Sequence, residues 1–323
     1  MTPKVSVVMA TYNGQKFIKE AIDSILNQTL KEFEFIIVDD GSTDATAQII
    51  QSYTDERIQY IKKEKNSGIS DSLNIGISKA RAQYIARMDD DDVSMPNRLE
   101  KQVNLMKNNE RVIFCGSTVT DKDSKTLPTP EHHEDILLKL LFSNPIFHPT
   151  VMIRRNLLLE NTYSSVAVPS EDYDLWSRLI FKGEFYQIQE PLLYCRIHQT
   201  SITARKRHVQ LQKNIVIVSE LFDKLGFNNL HEHDKNLKVF TSHDYTISGK
   251  SLKSVFKWIK ELKDTNTETK KFNVSKFNNL ADYHIEKFLT SYFLNRKLQQ
   301  KIVPFLYLND KYKSKIINFY LKK

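Results

Sequence analysis

Four consecutive aspartates, Asp89-Asp90-Asp91-Asp92, form the densest cluster of chemistry-bearing residues in this sequence, with further acidic pairs at Asp39-Asp40 and Glu171-Asp172. Adjacent carboxylates repel one another and raise each other's pKa. A divalent cation relieves that conflict. Hard oxygen ligands suit Mg²⁺ or Mn²⁺, which take one or two carboxylates and leave positions for water and phosphate oxygens. The plain alternative is a solvated acidic turn. Ser170 reads as an N-cap that puts Glu171 and Asp172 in a first helical turn, where N–H groups favour negative charge. An ionised carboxylate is what a general base needs at neutral pH, although two favourable first-turn residues would look the same. The sequence has no GxxxxGK[ST] loop and no GxGxxG after its first apolar run. That argues against a P-loop NTPase and a dinucleotide dehydrogenase, leaving a metal-dependent enzyme of a nucleotide-linked substrate.

These residues need elements to place them. Residues 4–10 (KVSVVMA) are β-branched and apolar and stop at a Tyr12-Asn13-Gly14 turn signal. Residues 17–26 carry Phe17, Ile18, Ala21, Ile22, Ile25 and Leu26 on one helical stripe. A buried-strand run over 33–38 ends at Asp39-Asp40, with Ser42 or Thr43 placed to cap a helix reaching 53. A strand over 57–61 and a helix over 70–80 follow. A fourth strand, 83–88, runs straight into the four aspartates, and a helix over 96–107 and a strand over 112–115 come next. Such alternation predicts an α/β fold, a mostly parallel sheet flanked by helices on both faces, with ligands at the carboxyl ends of the strands. Both aspartate clusters fall at such ends. Beyond 204 the alternation stops, and helical spacing over 209–225, 250–262, 281–295 and 311–321 predicts a helical module.

Of 323 residues, 40% are hydrophobic and 27% charged, which excludes wholesale disorder. Cys115 and Cys195 stand far apart in apolar contexts, excluding a disulfide scaffold and a Cys₄ zinc site. The net charge of +8 is uneven: residues 205–323 hold 24 Lys and Arg against 11 Asp and Glu, whereas 1–204 hold 23 against 28. That shift predicts a boundary near 204, between a catalytic domain over 1–204 and a basic, mainly α-helical C-terminal module over 205–323. A basic module attracts nucleic acid or anionic lipid, or is simply a well-solvated helical surface. Phe305, Tyr307, Tyr312, Phe319 and Tyr320, interleaved with Lys, suit an anionic membrane surface, a homodimer contact or the module's own core. The first apolar run is too short for a signal peptide, and no stretch approaches the roughly 18 apolar residues that span a bilayer. The expectation is a cytoplasmic protein, at most peripheral on the inner face of the membrane.

Six segments then appear in order: VSVVMATYNG (5–14), IIVDDGSTDAT (36–46), NSGISDSLNIGISKA (66–80), ARMDDDDVSMPNRLEKQV (86–103), HPTVMIRR (148–155) and SEDYDLWSRL (170–179). In these the chain resembles a family 2 glycosyltransferase of the GT-A (Rossmann-like) fold, over roughly residues 3–200. Similar sequences belong to bacterial enzymes that build capsule, lipopolysaccharide or other surface glycans. The resemblance implies a UDP-sugar donor and a glycan or lipid-linked oligosaccharide acceptor. Ala10 and Tyr12 would lie at the nucleotide, with Tyr12 stacked on the uracil. Asp40 would accept the uracil N3–H, since a carboxylate suits a base edge that carries a donor, and Asp39 would support that loop. The family's DxD motif falls on Asp89-x-Asp91, with Asp91 as ligand of Mn²⁺ or Mg²⁺, Asp89 on the ribose or the metal, and Asp90 between them. A register one residue along gives Asp90 a direct role. Asp172 matches the catalytic base, with Glu171 the lesser candidate. His198, in the stretch Tyr194-Cys195-Arg196-Ile197-His198, matches a histidine near the donor diphosphate and is a further candidate on the metal. A surface or packing role is its alternative. His148, beside Pro149, is read as ordering a loop on the acceptor side.

The chemistry implied is one in-line displacement at the anomeric carbon, with Asp172 taking the acceptor proton, metal at the leaving diphosphate and inversion of configuration. Two other classes compete. A nucleotidyltransferase or sugar pyrophosphorylase shares acidic metal sites, but would carry a glycine- and basic-rich N-terminal loop, which MATYNG is not. A basic nucleic-acid- or membrane-binding protein rests on the tail alone. Its nucleic-acid affinity would fall steeply with salt, and no nucleic-acid partner is expected of the enzyme.

Overall fold

The computed structural model describes residues 2–121, 123, 125–196, 207–227, 230, 232–242, 249–294 and 312–313. The chain divides into two compact units, Met1–Leu137 with Asn144–Gln210, and Leu138–Ser143 with Leu211–Lys323.

In the first unit the strands are β1 (Val5–Thr11), β2 (Phe33–Asp39), β3 (Ile58–Lys62), β4 (Tyr84–Met88), β5 (Val93–Ser94), β6 (Val112–Thr120), β7 (Thr126–Leu127), β8 (Met152–Arg154) and β9 (Glu184–Tyr194). Between them run α1 (Ile18–Leu26), α2 (Thr46–Gln51), α3 (Ile69–Lys79), α4 (Arg98–Asn108), α5 (His133–Leu140, with residues 133–137 in this unit), α6 (Arg155–Glu160) and α7 (Glu171–Leu179). One sheet takes the order β3-β2-β1-β4-β8-β6-β9-β5, with β7 on β6. Its first four strands are all parallel. β8 then enters antiparallel between β4 and β6, β9 returns parallel to β6 and β5 lies antiparallel on β9. The parallel half is the part that the strand–helix alternation predicts; the rest makes the sheet mixed.

The parallel strands are apolar on both faces because both are covered. Val5, Val7 and Met9 of β1, Phe35 and Ile37 of β2, and Ala86 and Met88 of β4 form one core with Ile18, Ala21, Ile22 and Ile25 of α1 and Leu99, Val103 and Met106 of α4. Each fully buried large aliphatic contributes about 2 kcal/mol. On β1, Thr11 pairs with Asp39 and Met9 with Met88. The residues that follow β2 and β4 therefore leave the sheet on either side of the end of β1.

Two caps differ from expectation. α2 begins at Thr46, and Asp44 Oδ1, not Ser42 or Thr43, accepts its first-turn N–H at 3.0 Å. The Ser42 hydroxyl accepts the Asn13 N–H instead, because Gly41 (φ +76°) turns the chain back toward the end of β1. Ser170 holds the N-cap position of α7 but donates its hydroxyl to the Gln210 carbonyl at 3.4 Å rather than capping.

The second unit is helical: α8 (Arg207–Lys224), α9 (His233–Ser242), α10 (Gly249–Thr269) and α11 (Val274–Leu294). Its core is aromatic, with Phe222, Phe227, Phe240, Trp258, Phe277, Phe288 and Tyr292 buried. Trp258 Nε1 donates to His233 Nδ1 at 3.0 Å. Tyr312, read as a possible interface aromatic, is buried here and donates its hydroxyl to Asp282 at 2.7 Å. Phe305, Tyr307, Phe319 and Tyr320 lie outside the described residues. Among the described residues no helix is long and apolar enough to cross a membrane.

Candidate functional site

Thr11 ties the two aspartate clusters together. Its carbonyl accepts the Asp40 N–H at 2.8 Å, and its hydroxyl donates to Asp90 Oδ2. Ala10 precedes it within β1, and Tyr12 follows with its side chain half exposed, at 49%. Gly14 allows Asp90 to sit there: a Cβ at that position would collide with the Asp90 carboxylate and lie 2.7 Å from Thr11 Oγ1.

At the end of β2, buried Asp39 braces its own turn, accepting Ser42 N–H at 2.8 Å and the Tyr60 hydroxyl at 2.8 Å. Asp40 turns toward α3. Its Oδ1 accepts Lys63 Nζ at 2.6 Å and Ser67 N–H at 2.9 Å, and its Oδ2 accepts Gly68 N–H at 2.9 Å. Gly68 takes φ +96°, a region open to glycine, and so presents that N–H from the helix start. Lys63 also reaches Asp71 at 2.7 Å.

At the end of β4 the four aspartates part ways. Asp89, Asp91 and Asp92 each bring a carboxylate oxygen within 4.8 Å of the others, a set able to hold a metal ion. Asp90 takes the Thr11 hydroxyl instead. Asp92 Oδ1 accepts the Arg196 N–H at 2.9 Å, and the Arg196 guanidinium bonds Glu20 at 2.6 Å and lies over the Phe17 ring. Beneath the run are two buried arginines. Arg87 pairs with Asp89, and Arg98 donates to the Arg87 carbonyl at 2.6 Å. Burial raises the pKa of Asp89 and Asp92, with Asp91 adding to it in both. Burial pushes Asp90 up to about 7 despite its Thr11 bond, and burial, then the neighbouring Arg87, brings Arg98 down to about 9.

The third acidic cluster, Glu171-Asp172, opens α7. Asp172 Oδ2 accepts Asn144 Nδ2 at 2.8 Å, and its Oδ1 accepts the Tyr173 N–H at 2.7 Å. Glu171 is buried, and its Oε2 has no hydrogen-bond partner. Burial raises both pKa values; the Asp172 charge pushes Glu171 further, and Arg87 works against both shifts. His148 Nε2 meets the Tyr163 hydroxyl at 2.8 Å, and its ring packs edge-on against Trp176. Burial, then Arg87, holds His148 well below its ordinary pKa, so it is neutral at pH 7.

Arg87 is thus the shared counter-charge, acting on Asp89, Asp90 and Asp92 as well as on Glu171 and Asp172. Removing one member of a buried ion pair costs about 3–5 kcal/mol. Arg87→Met therefore lowers the thermal midpoint by about 10 °C at pH 7.5. A melt within a degree of wild type would show that this charge is dispensable.

The structure brings Asp89, Asp90, Asp91, Asp92, Glu171 and Asp172 into one electrostatic neighbourhood, with Ala10, Tyr12, Asp39 and Asp40 at the adjoining strand ends. His198 lies outside the described residues. Sequence reasoning passed over Thr11, Lys63, Arg87 and Asn144. Arg87 carried a readable signal, being the one charged residue of β4 (YIARM), buried at 5% exposure. Asn144 carried none.

Comparisons with known proteins fit this geometry. Residues 6–167 match the family described as glycosyl transferase family 2. An uncharacterised glycosyltransferase of Methanocaldococcus jannaschii is 40% identical over 254 residues, covering 75% of this chain and 83% of that one. An O-antigen biosynthesis glycosyltransferase of Escherichia coli, WbnJ, is 35% identical over 208 residues, covering 61% and 81%. Residues 1–349 of S. aureus TarS, solved with UDP-GlcNAc, superpose with a TM-score of 0.62 at 19% identity, covering 90% of this chain and 89% of that one, a likeness of fold. The sheet and helices described above are the GT-A arrangement, and the chain belongs to glycosyl transferase family 2 and is a glycosyltransferase.

Proposed function

We propose that this enzyme moves a sugar from a UDP-sugar to a hydroxyl of a glycan or lipid-linked acceptor in cell-surface polysaccharide synthesis, with a divalent cation and inversion at the anomeric carbon. The observation that carries this reading is the gathering of 89–92 and Glu171-Asp172 about Arg87, beside Tyr12 and Asp40 at the carboxyl ends of parallel strands. The kinship with an O-antigen glycosyltransferase supports the polysaccharide setting.

Asp89, Asp91 and Asp92 would hold the cation; their clustered hard oxygens fit Mn²⁺ or Mg²⁺, and their crowding is what a cation relieves. When bound, it supplies positive charge where the departing diphosphate gathers negative charge. Asp172 takes the proton from the acceptor hydroxyl as that oxygen attacks. It is the better base of its pair because Asn144 and the Tyr173 N–H hold its charged form, whereas Glu171 Oε2 has no such partner. Asp40 is held rigid by Lys63, Ser67 and Gly68, leaving acceptor capacity on Oδ2 for a base N–H.

Tyr12 offers the flat face for the base. Stacking of a base on an aromatic ring contributes about 1–3 kcal/mol, so Tyr12→Ala weakens UDP binding by about tenfold, measured by calorimetry with Mn²⁺. Unchanged affinity would remove Tyr12 from the nucleotide site. The donor assignment is tested by hydrolysis of a panel of UDP-, GDP- and CMP-sugars with and without Mn²⁺. Metal-dependent release of UDP is expected, and release from GDP- or CMP-sugars alone would overturn it.

A further inference from the structure

We infer that Asn144 is a positioning residue for Asp172, a side chain that fixes the aim of the carboxylate and favours its charged form. This rests on the reading of Asp172 as the base.

The amide of Asn144 has only one orientation that satisfies its surroundings. Its Oδ1 accepts the Ile146 N–H at 3.1 Å, closing a local turn two residues on. That bond commits Nδ2 to face outward as a donor, and it reaches Asp172 Oδ2 at 2.8 Å. The other carboxylate oxygen is fixed by the Tyr173 N–H at 2.7 Å. The plane of the carboxylate is therefore set from two sides, one of them by a residue 28 positions away. An amide can only donate from Nδ2, so it stabilises the ionised carboxylate over the neutral acid.

The other charged and titratable groups about Asp172 are Arg87 on β4, Glu171 and Tyr173 on α7, and Tyr163 before it. Burial drives the Asp172 proton affinity up; the Tyr173 N–H, Arg87 and then Asn144 bring it down. Arg87 is shared with the aspartates that follow β4, whereas the Asn144 amide nitrogen donates to Asp172. Hydrogen bonds to charged groups contribute enough to move a pKa by about one unit or more.

The test uses the full chain labelled with ¹³C-carboxyl aspartate, with the Asp172 signal assigned by its loss in Asp172→Asn. In Asn144→Ala the Asp172 titration midpoint is expected to rise by about one pH unit or more. Asn144→Asp is isosteric and keeps the acceptor for Ile146, so it preserves the turn if the alanine variant misfolds. Its two facing carboxyls should titrate in two separated steps, the second well above the wild-type midpoint. An unmoved midpoint in the variant that folds overturns the inference.

A kinetic arm uses UDP-glucose, UDP-galactose and UDP-GlcNAc with Mg²⁺, following whichever the wild type hydrolyses. In Asn144→Ala, kcat should fall about tenfold at pH 6 and recover toward wild type by pH 8, with KM unchanged. A loss equal at every pH, or one confined to KM, would mean a packing role and contradict the inference. Turnover that survives in Asp172→Asn would sink the base assignment by itself, while the NMR midpoint still judges Asn144.

Discussion

Asp172→Asn lowers kcat by about 10²–10⁴-fold, the usual contribution of a positioned general base, and leaves UDP affinity unchanged. The substitution keeps the shape of the side chain and its place in the first turn of α7. It also keeps an oxygen to accept the Tyr173 N–H, while the amide nitrogen that then faces Asn144 Nδ2 can neither accept that bond nor take a proton. Glu171 does not substitute for it, because its Oε2 is buried without a hydrogen-bond partner and burial pushes its proton affinity up. Burst-free steady-state release of UDP, compared at saturating donor, checks the rate; calorimetry checks the binding. Turnover within tenfold of wild type would transfer the base role away from Asp172.

Asp91→Ala abolishes the response to divalent cations. Charge stabilisation by a metal is worth several kcal/mol in the transition state, so turnover falls by about 10²–10³-fold. The stability effect runs the other way. Asp91 adds to the unfavourable charge on Asp89, Asp90 and Asp92. Without metal, the variant is therefore expected to melt at or above the wild-type temperature, since one repelling carboxylate is gone. With Mn²⁺ at about 100 times its dissociation constant, wild type gains about 2.7 kcal/mol, and the variant gains little. Equal metal-induced shifts in both proteins would exclude Asp91 as a ligand.

Much of the site could be read from the chain because three strands are buried on both faces and each ends in a chemical marker. The apolar runs before Tyr12, before Asp39-Asp40 and before Asp89 are unmistakable, and a parallel sheet carries their ends to one edge. The individual roles came from the resemblance, not from spacing. Other parts were illegible for physical reasons. β8 is three residues long and pairs on both sides, so its identity rests on partners rather than on its own pattern. β9 breaks apolar alternation with Gln187, Gln189 and Glu190. Ser42 looked like a helix cap, yet its hydroxyl serves Asn13, 29 residues earlier. Arg87 was visible but silent, since a buried charge names its partners only once the tertiary structure places them around it.

The most direct test of the account is the anomer first released when the wild-type enzyme hydrolyses an α-linked UDP-sugar with Mg²⁺, followed by ¹H NMR before mutarotation. A single displacement assisted by Asp172 predicts the β-sugar as the initial product, lost together with UDP release in Asp172→Asn. An initial α-sugar would contradict the single displacement and require a different role for the carboxylates gathered about Arg87.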